Sequence, residues 1–156
     1  MSGFIIAGLD PAPFAPLYGL DDAELAERGV IRMTVDATPG FPCRVSLEDV
    51  TPGARVLLLN HEHLAVATPY RQSHAIFVRE GVERAARFDN VVPAQLAIRT
   101  LSVRAYDADG MMVDADLVEG RDLSAVIGRF FAASTVAYLH AHNAKRGCFA
   151  ARIDRA

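Results

Sequence analysis

The residues of this chain that could do chemistry fall in three short runs. Residues 140–149, His140-Ala141-His142-Asn143-Ala144-Lys145-Arg146-Gly147-Cys148-Phe149, hold two histidines, an amide, two cations and one of only two cysteines. Pro42-Cys43-Arg44 holds the other cysteine, and His61-Glu62-His63 repeats the His-x-His spacing of His140 and His142. Residues two apart on a strand share a face. Each pair could therefore offer two imidazoles to one ion of zinc or another borderline metal, provided both strands turn their histidines into one cleft. Glu62 points the other way, and no Asp or Glu stands at evident ligand spacing. Short motifs also arise by chance. His61, His63, His140 and His142 are thus weak metal candidates, no metal is favoured, and no cofactor is expected.

A second grouping joins Cys43 and Arg44 to His142 and Asn143. A neighbouring guanidinium or imidazolium favours a thiolate over a thiol, and a histidine oriented by an amide can act as base. Against this, a free cysteine is among the most buried residue types, and Asn143 directly after His142 on a strand would face the opposite way. A Cys43–Cys148 disulfide would close a long loop and stabilise by roughly 2–4 kcal/mol if unstrained, but a reducing compartment argues against a permanent one. Residues 143–147 form a tight connection whose backbone amides could cradle an anion, with Arg44 and Arg71 as bidentate donors. Arg71, Lys145, Arg146 and Gly147 are the anion-binding candidates, and a solvated hairpin loop is the plainer expectation. Tyr70 could line the same pocket, although a core edge suits a tyrosine equally. Asp107, Asp109, Asp114 and Asp116 read as turn formers and a solvated strand face. Neither Gly-x-Gly-x-x-Gly nor Gly-x-Ser-x-Gly occurs.

The elements that must position these residues are readable in outline. Prolines make residues 10–20 irregular. Asp21 then caps a short helix, with Glu24 as its capping-box partner and Gly29 as its stop. Residues 30–36 alternate, with Ile31, Met33 and Val35 predicted to face inward. Thr38-Pro39-Gly40-Phe41 fits a type II turn. Val56-Leu57-Leu58-Leu59 reads as a central strand and residues 75–78 as another. Residues 101–118 form a hairpin around Asp109-Gly110. A three-residue loop with Gly110 left-handed would set Leu101, Val103 and Ala105 opposite Leu117, Ala115 and Val113, and Arg104 opposite Asp114, so that the apolar faces match. From Asp122, the expected N-cap, Leu123, Val126, Ile127, Phe130 and Phe131 mark an amphipathic helix. Residues 136–142 and 148–153 then pair as the final strands. The sum is an α+β fold: a mainly antiparallel β-sheet packed with one principal amphipathic helix and a short N-terminal helix.

At 156 residues, 51% hydrophobic and 22% charged, the chain reads as a single domain over residues 1–156. A net charge of −3 gives no reason to expect nucleic acid or a membrane as partner. Residues 1–7 lack the cationic start of a leader, and no apolar run reaches membrane-spanning length. A soluble, cytoplasmic protein is expected.

The ordered set Phe41-Pro42-Cys43-Arg44, Thr68-Pro69-Tyr70, Ala75-Ile76-Phe77-Val78, His142-Asn143-Ala144, Gly147-Cys148 and Ile153-Asp154-Arg155 resembles the bacterial domain-of-unknown-function family numbered 1203 over nearly the whole chain. The resemblance implies a small bacterial single-domain protein and supplies no catalytic residues. The functional expectation is a small-molecule-binding domain, open to being an enzyme, with a polar pocket near Cys43, Arg44, Tyr70, His142, Asn143 and Cys148 and a small anionic molecule as ligand. The alternative is a non-catalytic module that self-associates, as a homodimer, through an exposed strand edge.

Overall fold

A computed structural model describes residues 3–156; Met1 and Ser2, which belong to the segment read above for a leader, lie outside the described residues. Its strands are β1 (Phe4–Ala7), β2 (Ile31–Thr34), β3 (Arg55–Leu64), β4 (Gln72–Arg79), β5 (Arg87–Asp89), β6 (Thr100–Tyr106), β7 (Met112–Glu119), β8 (Tyr138–Asn143) and β9 (Phe149–Arg155). The helices are α1 (Asp22–Glu27), α2 (Ala94–Ala97) and α3 (Leu123–Phe131), with single 3-10 turns at Ala15–Leu17 and Gly120–Asp122. A six-stranded antiparallel sheet has the order β5-β1-β9-β8-β6-β7, and a three-stranded antiparallel sheet the order β2-β3-β4. The architecture is α+β and mainly sheet, as the sequence predicts. Among the described residues no helix is long and apolar enough to cross a membrane.

Two cores divide the apolar residues. Leu123, Val126, Ile127, Phe130 and Phe131 of α3 cluster with Leu101, Val103, Leu139, Ala141 and Ile153 of the large sheet. Leu25 of α1 packs with Cys43, Val56, Leu57, Ile76 and Val78 of the small sheet. Helix α1 has the full capping box between Asp21 and Glu24, and Gly29 follows it with positive φ. Asp122 does precede α3, but its side chain makes no capping bond, because the 3-10 turn before it already sets the entry of the helix.

The hairpin between β6 and β7 departs from the expected register. Val103 pairs with Asp116, Arg104 with Ala115 and Ala105 with Asp114. Gly110 is left-handed as predicted, but the loop is organised by Asp107, whose Oδ1 accepts from the amides of Asp109 and Met111. Strand β7 is the sheet edge. Val118 packs against the α3 core and Asp116 ion-pairs with Arg129 of that helix, leaving Val113 and Leu117 exposed. An edge strand buries only where the helix reaches it, so matching apolar residues across the pair did not decide the register.

Strand β2 is likewise an edge. Ile31 is 59% exposed, whereas Val35 is buried just past the strand. The neighbouring Arg32 turns to Asp22 and Glu80. The expected type II turn at residues 38–41 is not formed: the Thr38–Pro39 peptide is cis and Gly40 does not take positive φ.

Candidate metal centre

The large sheet has α3 on one face and the far half of the β3–β4 hairpin on the other. Strand β8 lies between β9 and β6, and with α3 over one face and the β3–β4 hairpin over the other both of its faces are buried. Its period-two pattern sends Leu139 and Ala141 into the α3 core and Tyr138, His140 and His142 to the opposite face. His140 and His142 are 1% and 0% exposed.

Strand β3 runs past its apolar half, through Asn60-His61-Glu62-His63, and β4 returns alongside it with His61 opposite His74. The ladder breaks between Glu62 and Leu64: Glu62 faces Ser73, Leu64 faces Gln72, and His63 is the extra residue. This bulge lets two consecutive side chains turn toward the large sheet. His63 meets His140 and His142, and Leu64 packs with Tyr106 and Tyr138. A second bulge lies directly across the cleft. Ala141 pairs with Ala151 but His142 with Phe149, so Ala150 is extra. The Phe149 ring then stacks on His63 at 4.9 Å between centroids and 8° between planes.

Four of the five histidines thereby converge. His63 Nε2 lies 2.9 Å from His74 Nδ1, and His63 Nδ1 lies 3.4 Å from His140 Nδ1. One ring nitrogen from each of His63, His74 and His142 is within 4.8 Å of the other two. Nitrogens bound to a single tetrahedral zinc at about 2.0–2.1 Å stand about 3.3 Å apart, so small ring rotations would seat one ion. His142 Nδ1 lies 3.0 Å from the Gly147 carbonyl. A carbonyl only accepts, so Nδ1 carries the hydrogen and Nε2 keeps its lone pair. That Nε2 is buried and has no hydrogen-bond partner.

The electrostatics keep these rings neutral. Burial pushes His140 down to about 2, helped by His63, His142, Arg152 and Arg104. It pushes His63 down to about 3, with His74, His61 and Arg104 adding to the effect. His142 is also pushed down to about 3 by burial, against the opposing bond to the Gly147 carbonyl. His74 is lowered as well, by burial and by Arg104 and Arg44. Neutral imidazole is the form that binds metal.

The other residues singled out in the sequence distribute as follows. His61 is not in the cluster; its ring meets the edge of Phe14 at 5.9 Å. Arg44, only 2% exposed, donates Nε to the Phe149 carbonyl at 2.8 Å, Nη1 to the Pro42 carbonyl and Nη2 to Cys148 Sγ at 3.1 Å. Asn143 Nδ2 is 3.6 Å from the same sulfur, so Arg44, Asn143 and Cys148 do meet beside His142. Both cysteines are free thiols. Cys43 sits in the small-sheet core, its sulfur accepting from the Arg79 amide at 3.2 Å. Tyr70 is 37% exposed. Arg71 pairs with Glu62 at the surface. In the 143–147 connection Gly147 takes positive φ, but its amide donates to the Asn143 carbonyl at 2.7 Å and the Ala144 amide to Thr100, so these two are not available to an anion. A groove of about 380 Å³, lined by Ser46, Glu48, Arg79 and residues 81–84, includes none of the candidates.

A family model described as "Protein of unknown function (DUF1203)" matches residues 40–155. The chain belongs to this family. The match takes in all four clustered histidines, both cysteines and Arg44. Comparison with curated proteins and with solved structures found no match.

His74 was missed in the sequence. It has no His-x-His partner, and the sequence predicts its strand only from residue 75, whereas β4 begins at Gln72. The usable signal was its proximity to a strand start. What it lacked was any local sign that β4 lies beside β3 with residue 74 opposite residue 61.

Proposed function

We propose that this domain binds one divalent transition-metal ion of the zinc class through His63, His74 and His142, with His140 orienting His63. The observation that carries the proposal is His142: fully buried, its Nδ1–H fixed on a backbone carbonyl, its Nε2 lone pair without a partner. A metal-bound histidine characteristically donates its other ring N–H to a carbonyl or carboxylate. An imidazole buried only for packing would leave this nitrogen unsatisfied, at about 1–3 kcal/mol. His63 Nδ1–H, directed at His140 Nδ1, would complete the same outer arrangement for a second ligand.

Three histidines leave a fourth position open, as in sites that bind or activate a small ligand. The small-molecule pocket expected from the sequence thereby becomes an inorganic centre, with Arg44, Asn143 and Cys148 at its side rather than at its middle.

The test is elemental analysis of protein purified without a histidine tag, together with thermal melting in the presence and absence of zinc. One metal per chain, lost in His142→Ala and His74→Ala but kept in His61→Ala, is the expected result. Trace metal in every form, with no zinc-dependent rise in melting temperature, would refute the proposal.

A further inference from the structure

The charges around the histidines are unbalanced. Arg104 lies on β6 directly opposite His140 and reaches across to β4, where Nη1 donates to Gln72 Oε1 at 3.1 Å. It also approaches Ser102 Oγ at 3.4 Å from Nε. Both partners are neutral, and among the described residues Arg104 makes no ion pair, unlike Arg152 on the same side of the sheet, which binds Asp154. Arg44 is deeper and also has no carboxylate partner. The three proposed ligands are all histidines and bring no carboxylate. A divalent ion added here would sit among cations with no protein anion to offset it, and an uncompensated charge excluded from water is strongly disfavoured.

We propose that the open position of the metal takes a small oxyanion, one oxygen on the ion and another on the Arg104 guanidinium. The inference rests on the metal reading above. A guanidinium suits such a ligand because it is always charged and keeps N–H donors free beyond those held by Gln72 and Ser102, able to make a charge-assisted bond to an oxyanion. Carboxylate and phosphate share this chemistry, and the experiment separates them.

Tag-free protein loaded with cobalt(II) would be titrated with acetate and, separately, with inorganic phosphate at fixed ionic strength, following the visible absorption of the metal. The expected result is a saturable spectral change with one of the two, which names the ligand class. Arg104→Met should keep one cobalt per chain and bind that anion about tenfold more weakly or worse. Should Arg104→Met fail to fold, Arg104→Lys, which keeps the charge but not the fork, is expected to weaken binding several-fold. Cobalt bound one to one with a spectrum indifferent to both anions would overturn the inference while leaving the metal site standing. So would an Arg104 variant with unchanged anion affinity. Failure to bind cobalt at all would remove the metal reading and this inference with it.

Discussion

Strand β8 separates two regions of equal burial and opposite chemistry. On one face Leu139 and Ala141 join the side chains of α3 in a dry apolar core. On the other, His140 and His142, equally buried, meet the rings of His63, His74 and Phe149 edge to face. The first arrangement stabilises by removing apolar surface from water, about 25 cal/mol per Å². The second buries groups that water solvates well, and it leaves at least one nitrogen unsatisfied. Burying such groups on one side of a strand while packing the other side well costs stability, a cost that the proposed metal site would account for. Polar groups at such a position call for a ligand, and apolar ones only for a neighbour.

The largest expected effect tests the dry face. Ile127→Ala on α3 should cost about 2–5 kcal/mol in urea denaturation and leave metal stoichiometry in the folded fraction unchanged. If it abolished metal binding in protein that is still folded, the two faces would not be independent.

The second prediction concerns acid. His63, His140 and His142 are held neutral when folded, with values of about 3, 2 and 3, against about 6.5 unfolded. The unfolded chain therefore binds more protons than the folded one once pH falls below about 6.5. The metal-free protein should have its full stability above that pH and lose it progressively down toward pH 3. His140 and His142 alone permit a slope of up to about 2.7 kcal/mol per pH unit; His63, more open to solvent, adds less. Urea midpoints measured between pH 7.5 and 4.5 check this. A flat profile would mean that the rings charge freely and the face is not dry.

A third prediction sharpens the roles within the histidine face. His140→Phe removes the acceptor for His63 but no ligand, and should weaken zinc binding about 10–100-fold without abolishing it. His74→Ala, which removes a ligand, should weaken it more. Competition with a chromogenic chelator would rank the two, and equal losses would place His140 in the coordination sphere.

The smallest effect compares the two thiols. Cys148, partly exposed and facing Arg44, should be alkylated by iodoacetamide well before Cys43, which is 0% exposed. Peptide mass mapping over time would show it. Faster modification of Cys43 would mean that the small-sheet core opens readily.

Much of this layout was legible. The capping box at Asp21, the helix from Leu123 and the final strand pair follow from local rules of spacing and capping that hold wherever the segment sits. Of the His-x-His pairs, His140 and His142 share a face as the spacing predicts, whereas the bulge at His63 parts it from His61; Arg44, Asn143 and Cys148 do gather beside His142. The errors lie at the edges and bulges. Which residues of β2 are buried, and the register of β7, depend on what packs over these edge strands, which no residue in the strand records. The extra residue at His63 cannot be seen in a run of alternating side chains, since it exists only relative to β4.

By itself, then, the sequence determined the helices after Asp21 and from Leu123, the centres of most strands, and that the chain is α+β. Periodicity and capping are properties of neighbours along the chain. Only the tertiary structure decided that His63 would confront His140 and His142 from the other sheet, that His61 would turn to Phe14 and a lone His74 take its place, and that Arg104 would stand over them without an acid. Those outcomes depend on which faces are pressed together when two sheets pack. That choice is made by the summed burial of both cores, and the sequence around any one histidine carries almost none of it.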